Sequence, residues 1–163
     1  MDGVGSEPNR AESRRVNDLT AERFLADYKI RVDHEVPFGE VDMLQHVNNV
    51  AYAEWAERIR SIFFADVIGE DIRSERGMII ARHDLHYLAP VAYREKLAIG
   101  GRITRWGTKS FEFETVVWSY ASERAVFRAV ATLVAYDYRR TCSIAVPGEW
   151  RERVAAFQGP LAS

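Results

Sequence analysis

The stretch FGEVDMLQHVNNVAYAEW, residues 38–55, sets Asp42, His46, Asn48 and Asn49 close together and then turns apolar at helical spacing. A carboxylate placed just before a helix start can serve as a general base or as a nucleophile. The first N–H groups of a helix have no intrahelical partner and carry a partial positive charge, so they can stabilise negative charge developing on a substrate oxygen. The backbone N–H of Asn49, with Val50 beside it, sits at the inferred helix start. His46 either orients Asp42, binds a substrate or fixes the loop by a structural hydrogen bond. A plainer reading stands beside this one. Aspartate is common in turns because its side chain bonds nearby backbone, and the Asn48 and Asn49 side chains read as helix caps before they read as catalysts.

The elements that would position these residues follow from periodicity. Tyr28 to Val36 alternates as a strand, with Tyr28, Ile30 and Val32 on one face, and Pro37 and Gly39 break it. After Val47 comes the strongest helix, with Val50, Ala53, Ile59, Ile62 and Phe63 at three- and four-residue spacing, Tyr52, Trp55 and Ala56 beside them, and Gly69 past its end. Glu54, Glu57, Arg58 and Arg60 alternate in sign along it, and the ERIR run reads as an ion-pair network. Leu19 to Leu25 reads as a short helix. From Gly77 onward the chain reads as strands: Met78 to Leu88, Glu95 to Trp106 with Gly100-Gly101 inside it as a bulge or a strong bend, Ser110 to Tyr120, and Arg124 to Tyr138 with Val126, Val130, Thr132, Val134 and Tyr136 on one face. Glu149 to Phe157 reads as a terminal helix. Four strands in succession joined as hairpins make an antiparallel sheet, and the long helix must bury its apolar face on it. The expectation is an α+β fold of five strands around one helix, over residues 19–158, with a flexible leader at 1–18 and a tail at 159–163.

The 163 residues suit one domain, and 47% hydrophobic with 28% charged residues is the mix of a globular protein. A net charge of -2 gives no global basic field for nucleic acid or anionic lipid. No apolar run approaches the ~20 residues of a membrane span. The lone Cys142 excludes an internal disulfide and fits a reducing cytoplasm. His34, His83 and His86 lie on strands without metal-ligand spacing, so neither metal nor cofactor is expected.

The motif GEVDMLQHVNNVAYAEWAERIR, residues 39–60, resembles the hot-dog acyl-CoA thioesterases related to 4-hydroxybenzoyl-CoA thioesterase. HYLAPVAYREKLAIGGRI (residues 86–103) and RWGTKSF (residues 105–111) add weaker matches, and together the similarity spans about Tyr28 to Tyr138. The resemblance implies a long central helix wrapped by a five-stranded antiparallel sheet, and hydrolysis of an acyl-CoA to free acid and CoA. It implies an amide near Asn49 that polarises the thioester carbonyl, Asp42 as base or nucleophile, and His46 at the site. Glu57 is the rival acid, since some relatives carry theirs on the helix, and Asp42 is preferred. Asn48, Val50, Tyr52 and Gln45 are expected near the substrate, with Arg105 and Lys109, and Arg139 and Arg140 behind them, as candidates for CoA phosphates. Many relatives have Gly where this chain has Gln45; Gly there relieves strain or leaves room, and Gln45 would narrow the pocket or add a donor. The resemblance further implies a dimer with the site at the subunit interface, or a tetramer. A hot-dog enoyl-thioester hydratase and a non-catalytic acyl-CoA-binding protein are the alternatives.

Overall fold

The computed structural model describes residues 16, 18–70 and 73–161; most of the expected leader, and residues 162–163 of the expected tail, lie outside the described residues. The elements run α1 (Ala21–Asp27), β1 (Ile30–Glu35), a 3₁₀ turn (Phe38–Glu40), α2 (Asn49–Phe63) with a π-helical turn (Phe64–Ile68), β2 (Arg76–Tyr87), β3 (Lys96–Trp106), β4 (Ser110–Ser119), β5 (Arg124–Asp137), the two-residue β6 (Cys142–Ser143) and α3 (Gly148–Gln158). The long strands form one antiparallel sheet in the order β1-β3-β4-β5-β2, and β6 adds to β5. The sheet curls around α2, as the expected α+β architecture requires.

One connection departs from a simple run of hairpins. β2 pairs with β5 and not with the β3 that follows it, so the β2–β3 link crosses the sheet and leaves β1 and β2 as its outer long strands. Of the bulge or bend expected at Gly100-Gly101, the bulge is absent from the β3–β4 pairing; the irregularity there falls between Ile103 and Arg105. The glycines answer to packing instead. A Cβ on Gly100 would lie 2.7 Å from the Tyr28 side chain, and one on Gly101 would lie 2.5 Å from Phe113. α1 therefore sits tight on the outer face of β3 while the ring of Phe113 fills the inner face.

The buried face of α2 is Ala51, Tyr52, Trp55, Ala56, Ile59, Arg60 and Phe63, whereas Val50 is 58% exposed. The predicted stripe was rotated because Val50 sits in the first turn, where the helix end opens to solvent. On β5 the core side is Phe127, Ala129, Ala131, Leu133 and Ala135, all buried, and the larger residues Val130, Thr132, Val134 and Tyr136 face outward. Small alanines are what fit beneath a helix packed close to a sheet, so the face shared by Val130, Thr132, Val134 and Tyr136 is the outer one.

The inner core joins α2, the inner face of the sheet and α3 through Trp150. A second cluster on the outer face packs Phe24 and Tyr28 on Ala98, Val116 and Trp118. Beneath it lies a buried ionic group. Glu114 accepts from Arg128 Nε at 2.7 Å, Arg102 Nε at 2.9 Å and the Tyr28 hydroxyl at 2.8 Å.

Candidate active site

Residues 40–48 form a small closed loop leading into α2. Asp42 N–H donates to His46 O at 2.9 Å and Gln45 N–H donates to Asp42 O at 3.0 Å, so residues 43–45 are the tip of a tight hairpin. Val41 bridges Val47, and His46 bridges Ala92 on the segment after β2. Gln45 takes φ 64°, the left-handed region. Three-residue hairpin loops place a left-handed residue there, and glycine takes that conformation at least cost. This gives the physical reason for a glycine in relatives: the backbone wants it, and the exposed Gln45 side chain does not line the cavity beside the loop.

Glu40 organises the loop, and sequence reasoning missed it. Its backbone oxygen accepts from Asn48 N at 2.8 Å and from Asn48 Nδ2 at 3.0 Å. Its carboxylate accepts from Trp55 Nε1 at 3.2 Å and contacts His34 Nε2 at 2.8 Å. One side chain thus ties β1, the loop and α2 together. An acidic residue followed by an aspartate two positions on gave no signal to separate scaffold from chemistry.

Asn48 caps α2, its Oδ1 accepting from Ala51 N at 3.0 Å. That bond uses one of the orphan donors and leaves the N–H groups of Asn49 and Val50 at the open helix end. There a cavity of about 380 Å³ is lined by His46, Asn49, Tyr52, Tyr87 and residues 88–90. Tyr52 and Tyr87 meet edge to face at 5.2 Å with Phe127 behind both. Burial, then Glu95 and Tyr87, push the Tyr52 phenol up to about 12, so it stays neutral and able to donate a hydrogen bond.

Asp42 stands across the hairpin from His46, is exposed and is not among the residues that line the cavity; its Oδ1 accepts from Leu44 N at 2.8 Å, which leaves the other oxygen for further work. Glu57 lies two turns along α2, exposed, and the predicted ion-pair network does not form among the described residues. Instead Glu57 acts on Arg60 and His83 through space. The structure does not bring Arg105 and Lys109 to the cavity. They stand at the far ends of β3 and its turn, where Arg105 meets Glu112 and Lys109 reaches Ser143, roughly 20 Å of strand from the level of Phe127. Among the described residues, no group of His, Cys, Asp and Glu is placed to hold a metal ion, and no helix is long and apolar enough to cross a membrane.

A curled antiparallel sheet around one central helix, with a polar loop folded over the helix start, is the hot-dog architecture of thioester hydrolases. The chain belongs to the thioesterase-like superfamily, whose family model matches residues 36–157. It is 24% identical to the long-chain acyl-CoA thioesterase FadM of Escherichia coli over 116 residues, covering 70% of this chain and 88% of FadM. A thioesterase-superfamily structure from Jannaschia sp. superposes with a TM-score of 0.77 at 25% identity, over 89% of this chain and 96% of that one. A Thermus thermophilus thioesterase, solved with coenzyme A and zinc, gives 0.72 at 23% identity, over 83% and 98%. The protein is a hot-dog thioester hydrolase.

Proposed function

We propose that this protein hydrolyses an acyl-CoA, with Asp42 activating water or attacking the carbonyl and the amides of Asn49 and Val50 receiving the charge on the carbonyl oxygen. The observation that carries this reading is the convergence at one cavity. The open end of α2, His46 and the neutral Tyr52 phenol line it, and the hairpin that carries Asp42 closes on the backbone of His46. His46 positions Asp42 or contacts the substrate. Asn48 and Gln45 shape the loop, and Val50 offers its exposed side chain to the pantetheine arm. The FadM relationship supports an acyl-CoA over other thioesters.

β2 is an outer strand whose partly exposed inner face borders the cavity. A second copy pairing along β2 would cover that face and close the site, so a dimer is the unit we expect. Arg105 and Lys109, distant from their own cavity, then serve CoA phosphates only if a neighbouring copy brings them there. An exposed lone thiol at Cys142 fits a cytoplasmic location.

The test is thiol release from a panel of acyl-CoAs. Asp42→Asn should lose about 10²–10⁴-fold in kcat, while Glu57→Gln keeps turnover. The reverse pattern would move the acid to α2. A protein that runs as a monomer in sizing and still turns over would sink the shared site.

A further inference from the structure

Among the described residues, two buried side-chain nitrogens have no hydrogen-bond partner, Arg60 Nη1 and His83 Nε2. The two are near enough for the Arg60 charge to act on His83. α2 lies over β3, β4 and β1, so the inner face of β2 extends past it. Cross-strand partners share a face, which puts Ile80, His83, Leu85 and Tyr87 on the inner side opposite Leu133, Ala131, Ala129 and Phe127 of the core. In the single chain Ile80 is 47% exposed and Tyr87 50%, so this strip has room on the side that a second copy pairing along β2 would close. The strip begins at Tyr87, which lines the cavity with Tyr52, and runs along β2 through Leu85 to His83.

A buried guanidinium without a partner is costly, and an arginine is rarely placed so without an oxygen to meet. Arg60 is only 6% exposed. Burial pushes it below its ordinary value, and only Glu57 pulls the other way. Burial and then Arg60 likewise lower His83, against weaker pulls from Asp84 and Glu57. Glu57 bonds neither group, so its charge leaves both nitrogens without a hydrogen bond. Arg60 follows Asn49 by eleven residues, roughly 16 Å along the helix axis. Long helical side chains lean toward the N-terminus, bringing the guanidinium to on the order of 10 Å from the helix start. That is the reach of a medium acyl chain laid along the strip from a carbonyl held at Asn49.

We propose that Arg60 and His83 form the distal end of the acyl site and select acyl groups bearing an oxygen acceptor, a carboxylate or a hydroxyl, remote from the thioester. The inference rests on the hydrolase reading of the adjoining cavity. The walls before the pair, Tyr87 and Leu85, are apolar and accept methylenes; the pair then meets the oxygen.

Compare kcat/KM for octanoyl-CoA, ω-hydroxyoctanoyl-CoA and octanedioyl-CoA. The wild-type protein should favour the two oxygenated esters by about tenfold or more, because a buried donor left unmet penalises the plain chain. Arg60→Met should bring the ratio toward unity, Arg60→Lys should keep part of it, and His83→Leu reads the same ratio if Arg60→Met does not fold. A merely structural role lowers all three substrates in parallel and leaves the ratio intact. A wild-type ratio near one, or an unchanged ratio in Arg60→Met, overturns the proposal. So does loss of the oligomer in Arg60→Met with the ratio intact, which would make a second copy the true partner of the pair. Calorimetric Kd values for the matching non-hydrolysable thioethers separate the two readings. Preference in binding without thiol release keeps this inference and sinks the hydrolase assignment; no preference in either overturns this one alone.

Discussion

Two arginines of this molecule are buried to the same degree and live in opposite circumstances. Arg128, on the outer face of β5, is 6% exposed and donates to a Glu114 carboxylate that also receives Arg102 and Tyr28. Arg60, on α2, is also 6% exposed, and its Nη1 has no hydrogen-bond partner among the described residues. Burial alone would raise the Glu114 carboxyl, but Arg102, Arg128 and the Tyr28 hydroxyl hold it below its ordinary value. Around Arg60 burial wins. A closed ionic cluster ties α1 to three strands, whereas an open one spends stability at the edge of a site. Polar groups left unmet in a folded protein concentrate where a ligand or partner is to arrive.

The comparison predicts its own test. Glu114→Gln should be the most damaging change, about 3–5 kcal/mol by chemical denaturation, because two guanidinium groups lose their buried counter-charge. Arg60→Met, at equal burial, should alter stability by no more than about 1 kcal/mol, since it removes an unpaired charge and keeps the volume. If the two losses are alike, Arg60 is paired in solution and the contrast fails.

The pH dependence sharpens the same contrast. His83 has a lower pKa folded than unfolded, so the unfolded chain binds the extra proton and stability falls as pH drops below about 6.5. His83→Gln should flatten the melting temperature through that range. Glu114, also depressed, contributes stability that is present above its unfolded pKa and lost as pH falls below about 4.5, so Glu114→Gln should remove that acid limb. Smallest of all, Gln45→Gly should relieve the left-handed strain at the hairpin tip and stabilise by about 1 kcal/mol or less, glycine's own chain entropy offsetting part of the gain. A destabilised Gln45→Gly would show that the glutamine side chain holds the loop.

The loop and helix start were readable because their chemistry is local. An Asn before an apolar 3.6-residue period caps a helix wherever it occurs, and the Asx turn at Asp42 needs only its own next residues. Gln45 was legible as an odd residue; that its oddness is a backbone angle became clear only once the hairpin was closed. Glu40 was not legible, because its work is to reach His34 and Trp55, partners fifteen residues or fewer away in sequence but on different elements.

By itself the sequence determined the strands, the long helix, its cap and the acid–histidine loop, since each follows from the period or side chain of neighbouring residues. Tertiary structure decided which face of α2 and β5 is buried and why Gly100-Gly101 is glycine. It also decided that β2 becomes an outer strand beside the cavity, that Arg105 and Lys109 lie away from it, and that Arg60 comes near His83 with neither satisfied. Those outcomes depend on how closely one surface approaches another across the fold, and no residue carries that distance in its own identity.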